Sequence, residues 1–189
     1  MPRWDAQAEE RLRTAAIELF LELGYENVTV AQIAARAGLA RRTFSRYFAD
    51  KRDVLFADAD RLPEVLADAL SQADPMLAPF DALVTALADA GVVIGARVAP
   101  HALQRREVIA RSPELQERGR TKFAAVARAL ENELTLRGTE STTATLLADV
   151  GVALFRTGFN RWVDDPQGMD LSGYLRQAGA ELAVAVTQH

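Results

Sequence analysis

Apolar residues recur at the three- and four-residue spacing of a helix face from one end of this chain to the other, and no segment sustains the apolar/polar alternation of a strand. That pattern predicts an all-α protein. Leu12, Ala15, Ala16, Leu19, Phe20 and Leu23 share one face of a first helix over roughly 5–23, which Gly24 stops. Thr29 and Gln32 form a capping box, and Val28 and Ile33 stand at the two positions of a hydrophobic staple, so a second helix starts here. It ends at Ala37-Gly38. A third helix runs from about Ala40 to Phe48, and Asp50 is placed to cap a long fourth helix beginning at Lys51. Pro75 and Pro79 bracket a linker, Pro100 interrupts the next helical pattern, and Pro113 opens a helix that stops near Gly138. Two more helices, roughly 141–163 and 170–187, flank the loop "VDDPQG", giving about nine in all and no internal repeat.

Composition removes several function classes. The 189 residues are 49% hydrophobic, enough for a buried core in one or two domains. Cysteine is absent, which excludes disulfides, thiolate nucleophiles and cysteine-ligated metals; no metal site and no cofactor is expected. The start, "MPRWDAQAEERLR", lacks the apolar stretch of a signal peptide. The most apolar segment, "ALVTALADAGVVIGARVA", is interrupted by Asp89 and reads as too short to span a bilayer, so a soluble cytoplasmic protein without membrane contact is expected. His101 and His189 are the only histidines, and no G-x-S-x-G, G-x-G-x-x-G or P-loop pattern occurs. Solvation suffices to explain the acidic pairs Asp58-Asp60 and Asp164-Asp165. An enzyme is not expected.

Charge is unevenly spread. The formal net charge is -4, yet residues 1–52 hold nine Arg and Lys against seven Asp and Glu, and between Arg36 and Arg52 six basic residues meet only Asp50. Phosphate neutralisation with counterion release favours such a cluster, so a polyanion is one partner to expect; a merely solvated basic face is the other explanation. The helical wheel sharpens the choice. Arg41, Arg42, Ser45 and Arg46 fall within an arc of roughly 140°, with Phe44, Tyr47 and Phe48 opposite. A short helix and a tight turn at Gly38-Leu39 precede this one, which is the helix-turn-helix order in which the second helix enters the major groove. Arginine can offer two donors to guanine O6 and N7, while contacts to phosphate fix register. Lys51 is expected to add its ammonium to a helix N-terminus, a phosphate site. Thr29 and Tyr47 each have a sufficient structural role, as a cap and a partly buried aromatic, beside a possible phosphate contact.

The stretch "TVAQIAARAGLARRTFSRYFADKRDVLF" resembles the DNA-binding motif of the TetR family of bacterial transcription regulators, usually T-V-x-x-I-A-x-x-A-G-V-S-x-x-T-F-Y-x-Y/H-F-x-x-K-x-x-L. Matches fall at Thr29, Val30, Ile33, Ala34, Ala37, Gly38, Thr43, Phe44, Tyr47, Phe48 and Lys51. The resemblance implies a homodimer, an N-terminal three-helix DNA-binding domain over 1–50, and a ligand-binding and dimerisation domain over 51–189. It also implies that a small molecule in the second domain releases the protein from its operator, a switch that works only if the ligand prefers the state that cannot bind DNA. Carried over by position, the candidate contacts to double-stranded operator DNA are Thr29, Arg41, Arg42, Thr43, Arg46, Tyr47 and Lys51, with Ser45 on the same arc. Two departures stand out: Ala40 replaces the family's common Ser at the start of the recognition helix, and Ser45 stands where Tyr is frequent.

The remaining helices are rich in Ala, Leu and Val. Leu171, Tyr174, Leu175, Ala178, Leu182, Ala185 and Val186 make one stripe, and Val150, Gly151, Leu154, Phe155, Gly158, Phe159 and Trp162 another. TetR-like proteins dimerise through their last two helices, so the resemblance marks Leu154, Gly158, Trp162, Tyr174, Ala178 and Leu182 as interface candidates; an intramolecular core explains them equally well. Arg97, His101, Phe123, Phe155, Phe159 and Trp162 are candidates for lining an effector pocket, with ordinary packing as the alternative. The stretches "REVIARSPELQERGRTKFAAVARALENEL" and "ALFRTGFNRWV" look similar to actinobacterial, mycofactocin-regulator-like members that bind acyl-CoA-type ligands. In that case Arg97, Arg105 and Arg106 would meet CoA phosphates while the apolar interior takes the chain. A DNA-binding architectural protein with no small-molecule inducer is the competing functional class.

Overall fold

The computed structural model describes residues 6–187, so His189 lies outside the described residues. Those residues form ten α-helices and two 3-10 turns, with no strand among them. They divide into two compact units, one of residues 6–60 with 101–119 and one of 61–100 with 120–187.

The first unit contains α1 (Ala6–Leu23), α2 (Val30–Arg36), α3 (Arg41–Tyr47), α4 (Asp53–Asp60), α7 (Ala102–Ala110) and the opening turns of α8 (Pro113–Leu136). Gly24 at φ +82° and Gly38 at φ +66° end α1 and α2, and the left-handed backbone they adopt costs glycine least. The capping box is present in both directions: the Gln32 N–H donates to Thr29 Oγ1, and the Thr29 N–H donates to Gln32 Oε1. Val28 and Ile33 are both buried. Leu12, Ala16, Phe20, Ile33, Phe44, Phe48 and Leu55 build the core, joined by Val108 and Leu115 from α7 and α8. Thus α4 and residues 101–119 pack with the helix-turn-helix, beyond the 1–50 segment marked out from sequence.

The expected long fourth helix is two helices. Asp50 does cap, accepting from the N–H groups of Arg52 and Asp53, but a turn intervenes and α4 begins only at Asp53. The helical path then breaks at Arg61, after which α5 (Leu62–Ser71) carries Pro63 in its first turn. A proline there has no N–H to continue the preceding ladder, and its ring crowds the carbonyl four residues back, so the break is local chemistry.

The second unit contains α5, α6 (Pro79–Val98), the rest of α8, α9 (Ser141–Asp164) and α10 (Leu171–Thr187). Asp89 does not interrupt α6. Together with its continuation to Ala110, α6 is apolar and long enough to cross a membrane by length and composition alone, contrary to the sequence expectation. Its apolarity has a core explanation: Ala82, Leu83, Ala86, Leu87, Ala90 and Gly91 are buried among α5, α9 and α10, while Asp89 pairs at the surface with Arg176. Glycines set the spacing of these helices. A Cβ on Gly91 would lie 2.7 Å from Leu175 Cδ1 and 3.2 Å from the Ser172 backbone, and one on Gly158 would lie 2.8 Å from Leu175 Cδ2. Gly151, predicted on the same seam as Gly158, faces Leu130 and Leu83 instead. Arg137, in the turn between α8 and α9, donates to the carbonyls of Leu70, Ala73 and Asp74, satisfying the open C-terminal end of α5.

Candidate nucleic-acid interface

α3 follows from three local facts: Ala40 is its N-cap without a side-chain bond, Phe44 is buried in the core of the first unit, and the following Phe48 is buried beside it at 5.5 Å between ring centroids. Anchoring through the phenylalanines turns Arg41, Arg42, Ser45 and Arg46 to solvent, with Thr43 and Tyr47 half-buried at the flanks. The turn in front of α3 is braced from α1, where the Arg11 guanidinium donates to the Ala37 carbonyl. A second α1 arginine, the buried Arg13, donates to the Val54 carbonyl at 2.9 Å, pairs with Glu9 at 3.0 Å and lies over the Phe48 ring. Sequence reasoning missed both. A signal for Arg13 existed, since the wheel puts it about 20° from Phe20 on the apolar side of α1.

The five arginines among the six basic residues of 36–52 separate into two groups. Arg36 is bound to Glu22 at 2.7 Å and to Glu18 at 3.4 Å, and this guanidinium holds the Glu22 carboxyl below its ordinary pKa. Arg52 grips Asp50 at 2.6 Å and reaches Glu114 at 3.4 Å. The Asp50 carboxyl is lowered first by Arg52 and then by the two backbone N–H groups that it caps. Arg41 and Arg42, by contrast, meet no carboxylate among the described residues, and Arg46 engages Tyr47 alone. The positive charge that remains available is therefore concentrated on the outer arc of α3.

Two candidate contacts are already occupied. Thr29 Oγ1 is exposed but is shared with Gln32 as donor and acceptor. Lys51 does not stand at the open end of a helix as expected: Asp50 takes the N–H groups there, and the Lys51 ammonium donates to the carbonyls of Tyr25 at 2.7 Å and Glu26 at 3.3 Å, above the Tyr25 ring. One ammonium proton is left for a further acceptor.

In the second unit the structure brings together four of the candidate pocket residues. Phe123, Phe155, Phe159 and Trp162 form a train of rings across α8 and α9, with successive centroids 6.4, 6.0 and 5.6 Å apart. The Phe123 ring carries two cations, Lys122 Nζ at 5.0 Å and the Arg156 guanidinium at 5.7 Å, neither of which was singled out from sequence. Arg97 is exposed near the end of α6. His101 belongs to the first unit, where Nε2 lies 2.7 Å from Glu10 and 3.4 Å from Thr14. Of the candidate interface residues, Leu154, Gly158, Tyr174 and Ala178 are buried within their own chain, and Leu182 packs against the same core with Trp162. The Tyr174 hydroxyl donates to Asp165 at 2.6 Å, which raises its pKa.

An exposed basic arc on the second helix of a helix-turn-helix, in a chain that also carries a separate helical unit, defines a DNA-binding regulator. Comparison with known proteins agrees: residues 12–57 match the model of bacterial regulatory proteins of the tetR family, and residues 77–187 match that of the MftR C-terminal domain. The chain belongs to the TetR family of bacterial transcription regulators. A Mycobacterium tuberculosis protein assigned as the mycofactocin biosynthesis transcriptional regulator MftR is 32% identical over 155 residues, 79% of this chain and 77% of its own. The HTH-type transcriptional repressor LfrR of Mycolicibacterium smegmatis is 30% identical over 96 residues, 50% of this chain and 51% of its own. These relatives are transcriptional regulators, not enzymes. Two solved structures share the fold. SmeT, the repressor of a Stenotrophomonas maltophilia multidrug efflux pump, in complex with triclosan, has a TM-score of 0.63 at 20% identity, covering 95% of this chain and 91% of its own. FadR from Bacillus subtilis in complex with stearoyl-CoA has a TM-score of 0.60 at 19% identity, covering 90% and 95%.

Proposed function

We propose that this chain is a homodimeric repressor that reads its operator with α3 and is released by an amphiphilic effector of the acyl-CoA class. The observation that carries the DNA-reading part is the contrast among the arginines: Arg36 and Arg52 are neutralised by carboxylates, whereas Arg41 and Arg42 face solvent without one among the described residues. Buried aromatics fix the opposite side of the same helix, so the arc is presented rigidly. Thr43 and Ser45 flank the arginines, and Lys51 retains one donor for a phosphate.

The effector class is supported by the train of rings from Phe123 to Trp162, an apolar run in which Phe155 is core and Phe123, Phe159 and Trp162 are partly buried, and by Lys122 and Arg156 at its Phe123 end, which suit an anionic head. It is also supported by the stearoyl-CoA complex of FadR, a protein of the same fold. For the dimer we shift the interface outward from the residues read in the sequence, because most of those are spent inside the chain. The outer stripes of α9 and α10, with Leu146, Ala153 and Thr157 on one and Ala180 and Val184 on the other, are the exposed surfaces of the last two helices. In this arrangement two α3 helices enter successive major grooves, about 34–36 Å apart.

The test is binding of the purified protein to the intergenic DNA beside its own gene, at stated salt, with and without long-chain acyl-CoA. Specific binding abolished by acyl-CoA is the expected result. Specific binding indifferent to acyl-CoA would remove the effector class alone, and binding without sequence preference would favour an architectural role. Arg42→Ala should cost about 1–3 kcal/mol and relax preference at one base pair; unchanged binding would remove α3 as the reading helix.

A further inference from the structure

We infer that Tyr47 is a positioning residue for base reading: it holds the Arg46 guanidinium in a fixed place on the outer arc of α3, rather than serving as a contact to the DNA backbone. This rests on the assignment of α3 as the recognition helix.

Residues one apart on a helix point about 100° away from each other and do not ordinarily meet. Here they meet twice. Arg46 Nη2 donates to the Tyr47 hydroxyl at 2.9 Å, and the guanidinium carbon lies over the Tyr47 ring at 4.8 Å from its centroid. Arg46 has therefore folded back along the helix surface onto its neighbour. The neighbour is itself immobilised, because the half-buried Tyr47 packs against the core containing Phe44 and Phe48. Through that ring the guanidinium is indexed to the core of the domain. No other group on the arc does this: Ser45 is too short to brace an arginine, and Arg41 and Arg42 have no partner of this kind among the described residues.

The chemistry of the contact leaves reading capacity intact. A guanidinium presents five N–H donors in its plane, and a ring beneath its face uses none of them. The bond to the phenol consumes one, so a pair of donors remains to meet O6 and N7 of a guanine. The phenol oxygen, turned to accept from Arg46, serves as the other half of the brace. An arginine ordered before binding loses less freedom on contact, and a change in its angle alters which base edge it fits.

The test uses the full-length protein and duplexes enriched by it from a random-sequence pool, with the enriched duplex and its single-base-pair variants as probes. Arg46→Ala is expected to flatten discrimination at one base pair by about tenfold or more. Tyr47→Phe, which keeps the ring and its packing, is expected to lower discrimination at that same base pair by about threefold to tenfold, leave the other positions unchanged, and do nothing further in the Arg46→Ala background. Equal weakening on every probe that persists in that background would make Tyr47 a backbone contact and overturn the inference, as would wild-type discrimination in Tyr47→Phe. Should no duplex be enriched at all, the reading of α3 itself fails, an outcome distinct from either.

Discussion

At the scale of single residues, the DNA-binding unit depends on short-range charge assignments that decide which cations are left for a partner. Asp50 illustrates the point, since one carboxylate caps the entry to α4 and neutralises Arg52. Its pKa is depressed in the folded state, so the stability it supplies is present above the ordinary carboxylate pKa, near 4, and is lost as the pH falls through the folded value. Asp50→Ala should therefore cost about 1 kcal/mol at neutral pH, the loss of a helix cap. The difference in thermal midpoint between the variant and the wild type should shrink as the pH is lowered from 7 towards 2.5. Glu22 and Glu140, also lowered, are common to both proteins and cancel in that difference. A gap that stays constant over the range would show that Asp50 does not act through its charge.

At the scale of elements, the second unit is organised by glycines placed where α10 meets its neighbours. Gly91 on α6 and Gly158 on α9 both receive Leu175, and Gly179 on α10 receives Val84. Because the blocking atoms at Gly158 include the Leu175 Cα at 3.2 Å, an added methyl cannot be accommodated by a rotamer change alone. Gly158→Ala should destabilise the protein by about 1–3 kcal/mol, the cost of overpacking, measured by chemical denaturation. Gly119, around which nothing lies within 4 Å, provides the control: alanine there, within α8, should be neutral or stabilising. Equal effects at the two sites would remove the close-approach explanation.

At the scale of the whole molecule, what matters is which apolar surface the chain leaves uncovered. Leu146 on α9 is 63% exposed and Val184 on α10 is 52% exposed, while Leu154, Gly158, Tyr174 and Ala178, four of the six residues first read as an interface, are inside, and Trp162 and Leu182 are half-buried. If α9 and α10 form the dimer, Leu146→Glu and Val184→Glu each place a charge in an apolar contact and should convert the protein to a monomer by size-exclusion chromatography with light scattering. The same variants should bind operator DNA far more weakly while remaining helical, because one recognition helix cannot span two half-sites. A dimer that survives both substitutions would place the interface elsewhere.

The helical class, the capping box at Thr29, the turns at Gly24 and Gly38, and the arc of arginines on α3 were all legible before any folding, because each is set by residues within one or two helical turns of one another. The sequence also carried the family through the motif over 29–51. What lay beyond it depended on partners distant in the chain. That Arg36 is neutralised by Glu22 and Glu18, that Arg52 reaches Glu114 as well as its neighbour Asp50, that Lys51 caps the turn at Tyr25 and Glu26, and that His101 sits with Glu10 in the first unit are long-range pairings that no local period encodes. The same reason explains the stripes of α9 and α10: periodicity shows that one face is apolar, but only the packing of α6 against α10 decides that Tyr174 and Ala178 are core and Val184 is surface.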